Sequence, residues 1–325
     1  MSLQPPAVQR VKLRNKPSRR ADKVFFGVAR AAGYSSIVIV VAILFFLSIR
    51  AWPAFEQQGV VDFTFGSGWD TTTTPPTLHI GSMLWGSFLI AGIGVAMAIP
   101  MAISIAYFIE FLAPKAIAKT ATVFVDLLAA IPSVVIGLWG LGVFSPTGAG
   151  WAQMINQSLG FIPIFQNDAG TFLRSPFIAG IVIAVMIVPI ISSITREIFS
   201  QMDKEIINGA MALGGTRESI LRKVILPTSA GGILGGVLLA LGRAMGETVA
   251  IFFVLNLNYD EVNWLNILEP QGGAIASLIL SKFGEATTDE ISALLAAGVV
   301  LFVFTLIINA IASYIVAKAQ PWRKA

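Results

Sequence analysis

The chain has 325 residues, of which 55% are hydrophobic and only 12% are charged. Soluble domains carry about twice that charged fraction, so the composition excludes an ordinary water-soluble globular protein. The chain contains no cysteine, which excludes disulfide bonds and thiolate chemistry. It also contains no Gly-Lys pair, which excludes a phosphate-binding P-loop and hence an ATPase site of its own.

Long charge-free runs divide the chain into segments long enough to cross a bilayer, which takes about 20 apolar residues. The runs are continuous rather than alternating, which favours helices over the strands of a membrane barrel. The first run follows a basic leader, as a signal peptide would. It is long for a signal and lacks a small-residue cleavage site, so we expect a retained helix. The sequence therefore predicts an all-α polytopic membrane protein with six spans, at 33–51, 81–109, 120–144, 176–195, 232–256 and 291–317.

The basic residues predict the orientation of these spans. Eighteen of the 22 Lys and Arg lie in the termini or in loops 110–119 and 196–231, whereas the alternate loops are mainly acidic. The positive-inside rule then places both termini in the cytoplasm. We expect a basic cytoplasmic tail at 1–32, a six-helix domain at 33–317 and a short cytoplasmic tail at 318–325. The leader is better explained by topology and lipid headgroups than by nucleic-acid binding.

The loop 203–227 is predicted to form a helical hairpin in the cytoplasm. Asp203 and Thr216 are typical N-caps, and Gly214 suits the left-handed residue that ends a helix. Pro227 should stop or kink the second helix before the next span. The second helix lies too close to the next span to enter a DNA groove freely, which argues against a DNA-reading helix-turn-helix. An amphipathic pair on the membrane surface and a docking element for a partner protein both remain open.

The fifth predicted span contains two charges, Arg243 and Glu247, where a membrane helix tolerates charge least. Four residues apart, they can pair on one helix face, which they share with small residues at 232, 236, 240 and 250. Leu234, Leu238, Leu241, Met245 and Phe252 are expected on the opposite, lipid-facing side. The third span repeats this pattern with Asp126 and Ser133, and Pro132 should weaken it.

Two interpretations of these charges remain open. An ion pair could simply lock helices in register. Alternatively, the Arg243 guanidinium could contact a passing oxyanion, since its fork of donors matches phosphate oxygens, with Glu247 as its partner and Asp126 as a second polar position. A lone histidine, His79, makes no metal site.

The hairpin resembles the signature of permease subunits of ATP-binding-cassette (ABC) importers. That signature reads E-A-A, three residues, Gly, nine residues, Ile, one residue, L-P. Ala210, Gly214, Leu226 and Pro227 match it, whereas Asn208, Gly209 and Val224 replace the usual Glu, Ala and Ile. The resemblance implies that the hairpin docks in a groove of a separate ATPase subunit, so ATP and Mg would bind there and no cofactor would bind this chain.

Two further stretches resemble the permeases of phosphate-specific ABC importers, namely G-R-A-M-G-E-T from 242 and V-D-L-L-A-A-I-P-S-V-V-I-G-L from 125. The extended outer loops 52–79 and 145–175 are more similar to the PstC type than to the PstA type. This resemblance implies a bacterial cytoplasmic-membrane protein that forms a heterodimer with a related permease. It also implies two ATPase copies and an external phosphate-binding protein. From the polar residues of the spans themselves, we expect a pathway that includes Arg243, Glu247, Asp126, Ser133 and Thr248.

Three other functions remain open on sequence alone. The same architecture could import another oxyanion, such as sulfate or molybdate. An ion-coupled carrier or channel could use the buried charges as a relay without an ATPase. A scaffold could sense phosphate without moving it. In none of these does covalent catalysis occur on the chain.

Overall fold

The computed structural model describes residues 19–270 and 272–319, so most of the predicted basic tail and the end of the C-terminal tail lie outside the described residues. The chain divides into two compact units, residues 1–49 and 50–325. Everything below on packing and on the candidate site concerns the second unit.

The described part of the chain is mostly helical. Its helices are α1 (Arg19–Gln58), α2 (Val60–Phe65), α3 (Gly81–Tyr107), α4 (Lys115–Ala129), α5 (Ser133–Trp139), α6 (Ser145–Leu159), α7 (Pro176–Ser200), α8 (Lys204–Ala212), α9 (Arg217–Ile220), α10 (Leu226–Met245), α11 (Val249–Val254), α12 (Ile275–Lys282) and α13 (Thr288–Ala319). Wider π-helical turns at Phe108–Leu112, Gly140–Phe144 and Leu221–Ile225 extend α3, α5 and α9, and Pro163–Phe165 forms a 3₁₀ turn. Strands β1 (Trp69–Asp70) and β2 (Thr77–Leu78) pair antiparallel, with Trp69 opposite Leu78.

Six helical stretches of the described chain are long and apolar enough to cross a membrane, which confirms the predicted number of spans. They are Asp22–Gln58, Gly81–Leu112, Ser133–Leu159, Pro176–Ser200, Arg217–Met245 and Thr288–Ile315. Four agree with the predicted positions to within a few turns. The third and the fifth differ, and each difference has a local cause.

The third span begins later than predicted because proline divides the segment. α4 ends at Ala129, and Pro132, which has no backbone N–H to donate, precedes the first turn of α5. From Ser133 the helix continues through a π-turn into α6 and ends at Leu159. The predicted span 120–144 is therefore wrong in its bounds, and the first half of the predicted loop 145–175 is helical. Polar residues such as Gln153 and Asn156 had made that half resemble a loop.

The fifth span is interrupted where a continuous helix was predicted over 232–256. α10 ends at Met245 and α11 begins at Val249, so residues 246–248 leave the helix. Glycine loses more backbone entropy than other residues when a helix fixes its conformation, so Gly246 disfavours a helix at this point. The hydroxyl of Thr248 donates to the Gly246 carbonyl oxygen at 3.2 Å, a local bond that competes with helical hydrogen bonding. This break determines the geometry of the candidate site.

Close contacts between α3, α7 and α10 form the centre of the second unit. A Cβ built on Gly94 of α3 would lie 2.7 Å from Cγ2 of Ile183 on α7, so this approach requires glycine. Cβ atoms built on Gly232 and Gly236 of α10 would likewise lie 2.5 and 3.0 Å from side-chain atoms of Ile198 and Ile194. The small face predicted for α10 is thus confirmed as a helix-packing face.

Candidate functional site

Arg243 lies in the last turn of α10 and its side chain is exposed. In the part of the chain that the structure describes, no carboxylate oxygen lies within 4.0 Å of its guanidinium nitrogens. The side chain lines a cavity of about 400 Å³ with Ile190, Leu238, Leu239, Gly242 and Asn309. Ile190 is near the middle of α7, so this arginine lies within the apolar depth of the bundle. An unpaired guanidinium at that depth costs free energy unless an anion binds to it.

The predicted ion pair between Arg243 and Glu247 is not formed. The prediction assumed one continuous helix, in which residues four apart face each other. Because α10 ends at Met245, Glu247 lies in the break and turns inward, with 9% of its surface exposed. Its Oε1 accepts a hydrogen bond from the Ala250 N–H at 3.4 Å, in the first turn of α11. Glu247, which precedes the N-cap residue Thr248, therefore accepts from the first turn of α11 instead of neutralising Arg243.

Asp126, predicted as a second polar position on the pathway, lies beside a basic residue of α7. Its Oδ1 lies 4.0 Å from Nη2 of Arg196, near the end of α7. α7 and α10 run antiparallel, since Ile198 meets Gly232 and Ile194 meets Gly236. Arg196 is thus level with residue 234, roughly 14 Å along α10 from Arg243 at 1.5 Å per residue. Asp126 and Arg243 therefore lie at different levels of the bundle, and the place of Asp126 on a pathway with Arg243 stays a prediction.

Ser133 and Thr248 lie at the N-terminal ends of α5 and α11, two helices that are in close contact. A Cβ on Gly137 of α5 would lie 2.8 Å from the Ala250 Cα, and one on Gly140 would lie 2.8 Å from Cγ1 of Val254. α5 and α11 therefore run in the same direction, and each begins close to the break at 246–248. Thr248 also lines a cavity of about 530 Å³ with Gly246, residues of α12, Phe283, Gly284 and Leu301.

The lipid-facing residues predicted for α10 are only partly exposed. Leu238 and Leu241 are partly buried, and Met245, with 2% of its surface exposed, is core. The exposed positions are instead Gly232, Gly235, Leu239, Arg243 and Gly246. Arg243 thus lies on the exposed side of α10, not on the side that buries Gly236 and Ala240. Which side of α10 is buried depends on the neighbours that it contacts, and periodicity alone does not determine those neighbours.

The predicted hairpin is confirmed in its local geometry. Asp203 caps α8 by accepting from the Glu205 N–H at 2.8 Å, and Thr216 caps α9 by accepting from the Ser219 N–H at 3.2 Å. Gly214 has φ +83°, and the N–H groups of Gly214 and Gly215 donate to the carbonyls of Met211 and Ala210. These two bonds form a Schellman motif, which ends α8 and reverses the chain.

The hairpin presents two different faces. Ile207, Ile220 and Ile225 are buried and anchor it on the core beside Phe199. Asn208, Gly209 and Gly214 are exposed, together with the apolar side chains of Ile206, Met211 and Leu213, the last with 91% of its surface exposed. Ala210, Val224, Leu226 and Pro227 are partly buried where the hairpin joins α10. The described residues of this chain leave the outward apolar side chains uncovered, as is typical of surfaces that bind a partner.

Two features of the site were missed at the sequence level. Asn309 on α13 lines the Arg243 cavity, and its Oδ1 is buried without a hydrogen-bond partner among the described residues. It is the one asparagine in the apolar run 291–317, which could have drawn attention to it. The short helix α12, with Ile275 to Leu278 buried, lies in a region predicted as loop. Its apolar residues were too few to suggest a span.

Comparison with known proteins identifies the family. Residues 94–320 match the family described as the binding-protein-dependent transport system inner membrane component. The chain is 34% identical over 315 residues to the phosphate transport system permease protein PstC 2 of Mycobacterium tuberculosis, covering 94% of each chain. It is also 34% identical over 289 residues to the PstC permease of Haemophilus influenzae, covering 87% of this chain and 89% of that protein.

Solved structures agree on the fold. A bacterial ABC transporter involved in the import of the acidic polysaccharide alginate matches with a TM-score of 0.59 and 17% identity, over 92% of this chain and 98% of that one. A second alginate transporter structure, in complex with its pentasaccharide-bound periplasmic protein, matches with a TM-score of 0.56 and 15% identity, over 94% and 98%. The chain therefore belongs to the family of binding-protein-dependent transport system inner membrane components, as a multi-pass permease subunit with PstC proteins among its relatives.

Proposed function

We propose that the chain is the permease subunit of an ATP-driven importer of inorganic phosphate. The observation that carries the proposal is the exposed, unpaired guanidinium of Arg243 in the apolar depth of the bundle, at a cavity of about 400 Å³. A planar fork of donors suits the oxygens of a phosphate ion. The PstC relatives are named as phosphate transport permeases, so phosphate is the anion that we expect this site to bind.

In this proposal Arg243 is the anion contact and the other predicted pathway residues act around it. Glu247 holds the break between α10 and α11, where its carboxylate accepts from the first turn of α11. Thr248 and Ser133 provide hydroxyls near that break, beside the cavity that Thr248 lines. A helix interrupted by a few residues can change direction at that point, which suits a pathway that opens to each side in turn.

Energy for transport would come from other chains. Family membership implies a partner permease, an ATPase and a substrate-binding protein. We infer a heterodimer with a related permease, two ATPase copies that hold ATP and Mg, and an external phosphate-binding protein. Both termini and the hairpin 203–227 would then face the cytoplasm, in agreement with the distribution of Lys and Arg. The ATPase would cover the apolar residues Ile206, Met211 and Leu213.

Two alternatives differ from this proposal in measurable ways. A permease for sulfate or molybdate would have the same architecture with another cargo. An ion-coupled carrier would need no ATPase, and its hairpin would lie on lipid. The match of the hairpin to the ABC permease signature, together with its exposed apolar side chains Ile206, Met211 and Leu213, favours a protein partner over lipid.

Uptake by cells that lack this chain tests the proposal. The cells receive the wild-type gene, Arg243→Leu or Arg243→Lys, and initial rates for radiolabelled phosphate and sulfate are compared at equal membrane levels. We expect wild type to restore phosphate uptake, Leu to abolish it, and Lys to retain a small fraction because it keeps charge without the fork. Restored sulfate uptake would identify another cargo. Equal phosphate uptake with Arg243→Leu would remove Arg243 from the pathway.

A further inference from the structure

Asn309 has an unused hydrogen-bond acceptor inside the membrane-spanning bundle. It lies on α13 and lines the same cavity as Arg243 and Gly242. Its Oδ1 is buried and accepts no hydrogen bond from any residue that the structure describes. Buried side-chain acceptors are nearly always paired, so an unpaired one in a cavity marks a position where a ligand or water bonds.

A neighbour on the same helix shows the usual alternative. Thr305, one turn earlier, donates its hydroxyl to the Leu301 carbonyl at 2.7 Å and so satisfies itself within α13. The Oδ1 of Asn309, which can only accept, receives no hydrogen bond from the described residues. The cavity also has free space between Asn309 and α10. A Cβ built on Gly242 would have Nδ2 of Asn309 as its nearest neighbour, at 4.0 Å. The cavity, at about 400 Å³, is many times the roughly 30 Å³ that one liquid water occupies.

Arginine and asparagine offer different chemistry to an oxyanion. A guanidinium only donates hydrogen bonds, whereas a carboxamide both donates through Nδ2 and accepts through Oδ1. At neutral pH inorganic phosphate keeps at least one P–OH group, and sulfate keeps none. An acceptor beside an arginine therefore distinguishes a protonated oxyanion from a fully ionised one, because only the protonated anion can donate to it.

We propose that Asn309 is a specificity-determining contact for the transported anion: Oδ1 accepts from the P–OH of phosphate while Arg243 donates to its unprotonated oxygens. Rotation about the terminal torsion of the side chain, which is broad and roughly two-fold, turns Oδ1 into the cavity that the residue already lines. This inference rests on the proposed function and adds to it a second side chain, from a different helix.

The test uses the complete transporter, reconstituted with its partner permease, ATPase and binding protein. Wild type, Asn309→Leu, Asn309→Gln and the matched control Thr305→Val are compared for phosphate transport and for ATP hydrolysis stimulated by phosphate-loaded binding protein. We expect Asn309→Leu to lower phosphate moved per ATP hydrolysed by about tenfold, the effect of one lost hydrogen bond to an ion. Asn309→Gln should recover part of that ratio, and Thr305→Val should resemble wild type.

A purely structural role predicts something else. Poor assembly or a general loss of activity would lower transport and ATP hydrolysis together and leave their ratio unchanged, which would overturn the proposal. An unchanged transport rate in Asn309→Leu would also overturn it. If the wild-type complex hydrolyses ATP but moves no phosphate, the proposed function fails first, and this outcome is distinct from either result with the variants.

Discussion

Asp126 and Arg196 form an ion pair that joins α4 to the last turns of α7, with 4.0 Å between Oδ1 and Nη2. The pair is far from Arg243 along the bundle, and 54% of the Asp126 side chain is exposed. It is therefore a partly solvated link between two helices, and it leaves Arg243 free of a fixed counter-ion.

The first prediction is that Asp126→Asn has little effect. Exposed ion pairs contribute about 0–1 kcal/mol, and this one is long. We expect phosphate uptake within about twofold of wild type and a similarly small change in thermal stability of the purified complex. Loss of phosphate uptake, with the variant protein present in the membrane at the wild-type level, would show that Asp126 belongs to the transport pathway.

The second prediction concerns the break in the fifth span. Glu247→Gln keeps an acceptor for the Ala250 N–H, so we expect the fold to persist. Glu247→Leu leaves that buried N–H without its partner, at a cost of about 1–3 kcal/mol. The melting temperature of the purified complex should fall for Leu but not for Gln. Equal melting temperatures for the two variants would show that Glu247 does not hold the break.

The third prediction concerns the hairpin. Gly214 has φ +83°, a left-handed conformation that costs a residue with a side chain about 1–2 kcal/mol. Gly214→Ala should therefore loosen the turn between α8 and α9 and lower the amount of ATPase that copurifies with the chain.

The control for the hairpin is Gly150→Ala in α6, where an added Cβ meets nothing within 4 Å and φ is helical. It should retain the ATPase at the wild-type ratio. Full retention of the ATPase by Gly214→Ala would argue that the turn is not needed for docking.

The fourth prediction uses two glycines of α3. A Cβ on Gly94 would press against Ile183 at 2.7 Å, whereas one on Gly92 would meet nothing within 4 Å. Gly94→Val should destabilise the α3–α7 contact by about 1–3 kcal/mol, as overpacking does. Gly92→Val adds the same side chain without that clash. Thermal unfolding in detergent should separate the two variants, and identical curves would contradict the packing described for this pair.

What the sequence predicted well was determined locally. Asp203, Gly214 and Thr216 fix the hairpin through bonds to residues two to five positions away, and charge-free runs determine the number of spans. The break at 246–248 escaped detection because apolar residues flank it on both sides, and hydropathy does not record where a helix ends.

The partners of charged groups depended on tertiary packing. Asp126 lies beside Arg196 only because α4 crosses the end of α7, and no spacing within either helix encodes that crossing. Asn309 and Arg243 are more than sixty positions apart and share a cavity only through the packing of α10 and α13. The residue type of Arg243 was informative from sequence, whereas its surroundings required the structure.

ATP-dependent phosphate accumulation in proteoliposomes tests the central claim most directly. The chain is reconstituted with its partner permease and ATPase, with ATP at the ATPase face and phosphate-loaded binding protein at the other. The account predicts accumulation that requires both ATP and binding protein and that Arg243→Leu abolishes. Accumulation driven by an ion gradient without the ATPase would contradict it.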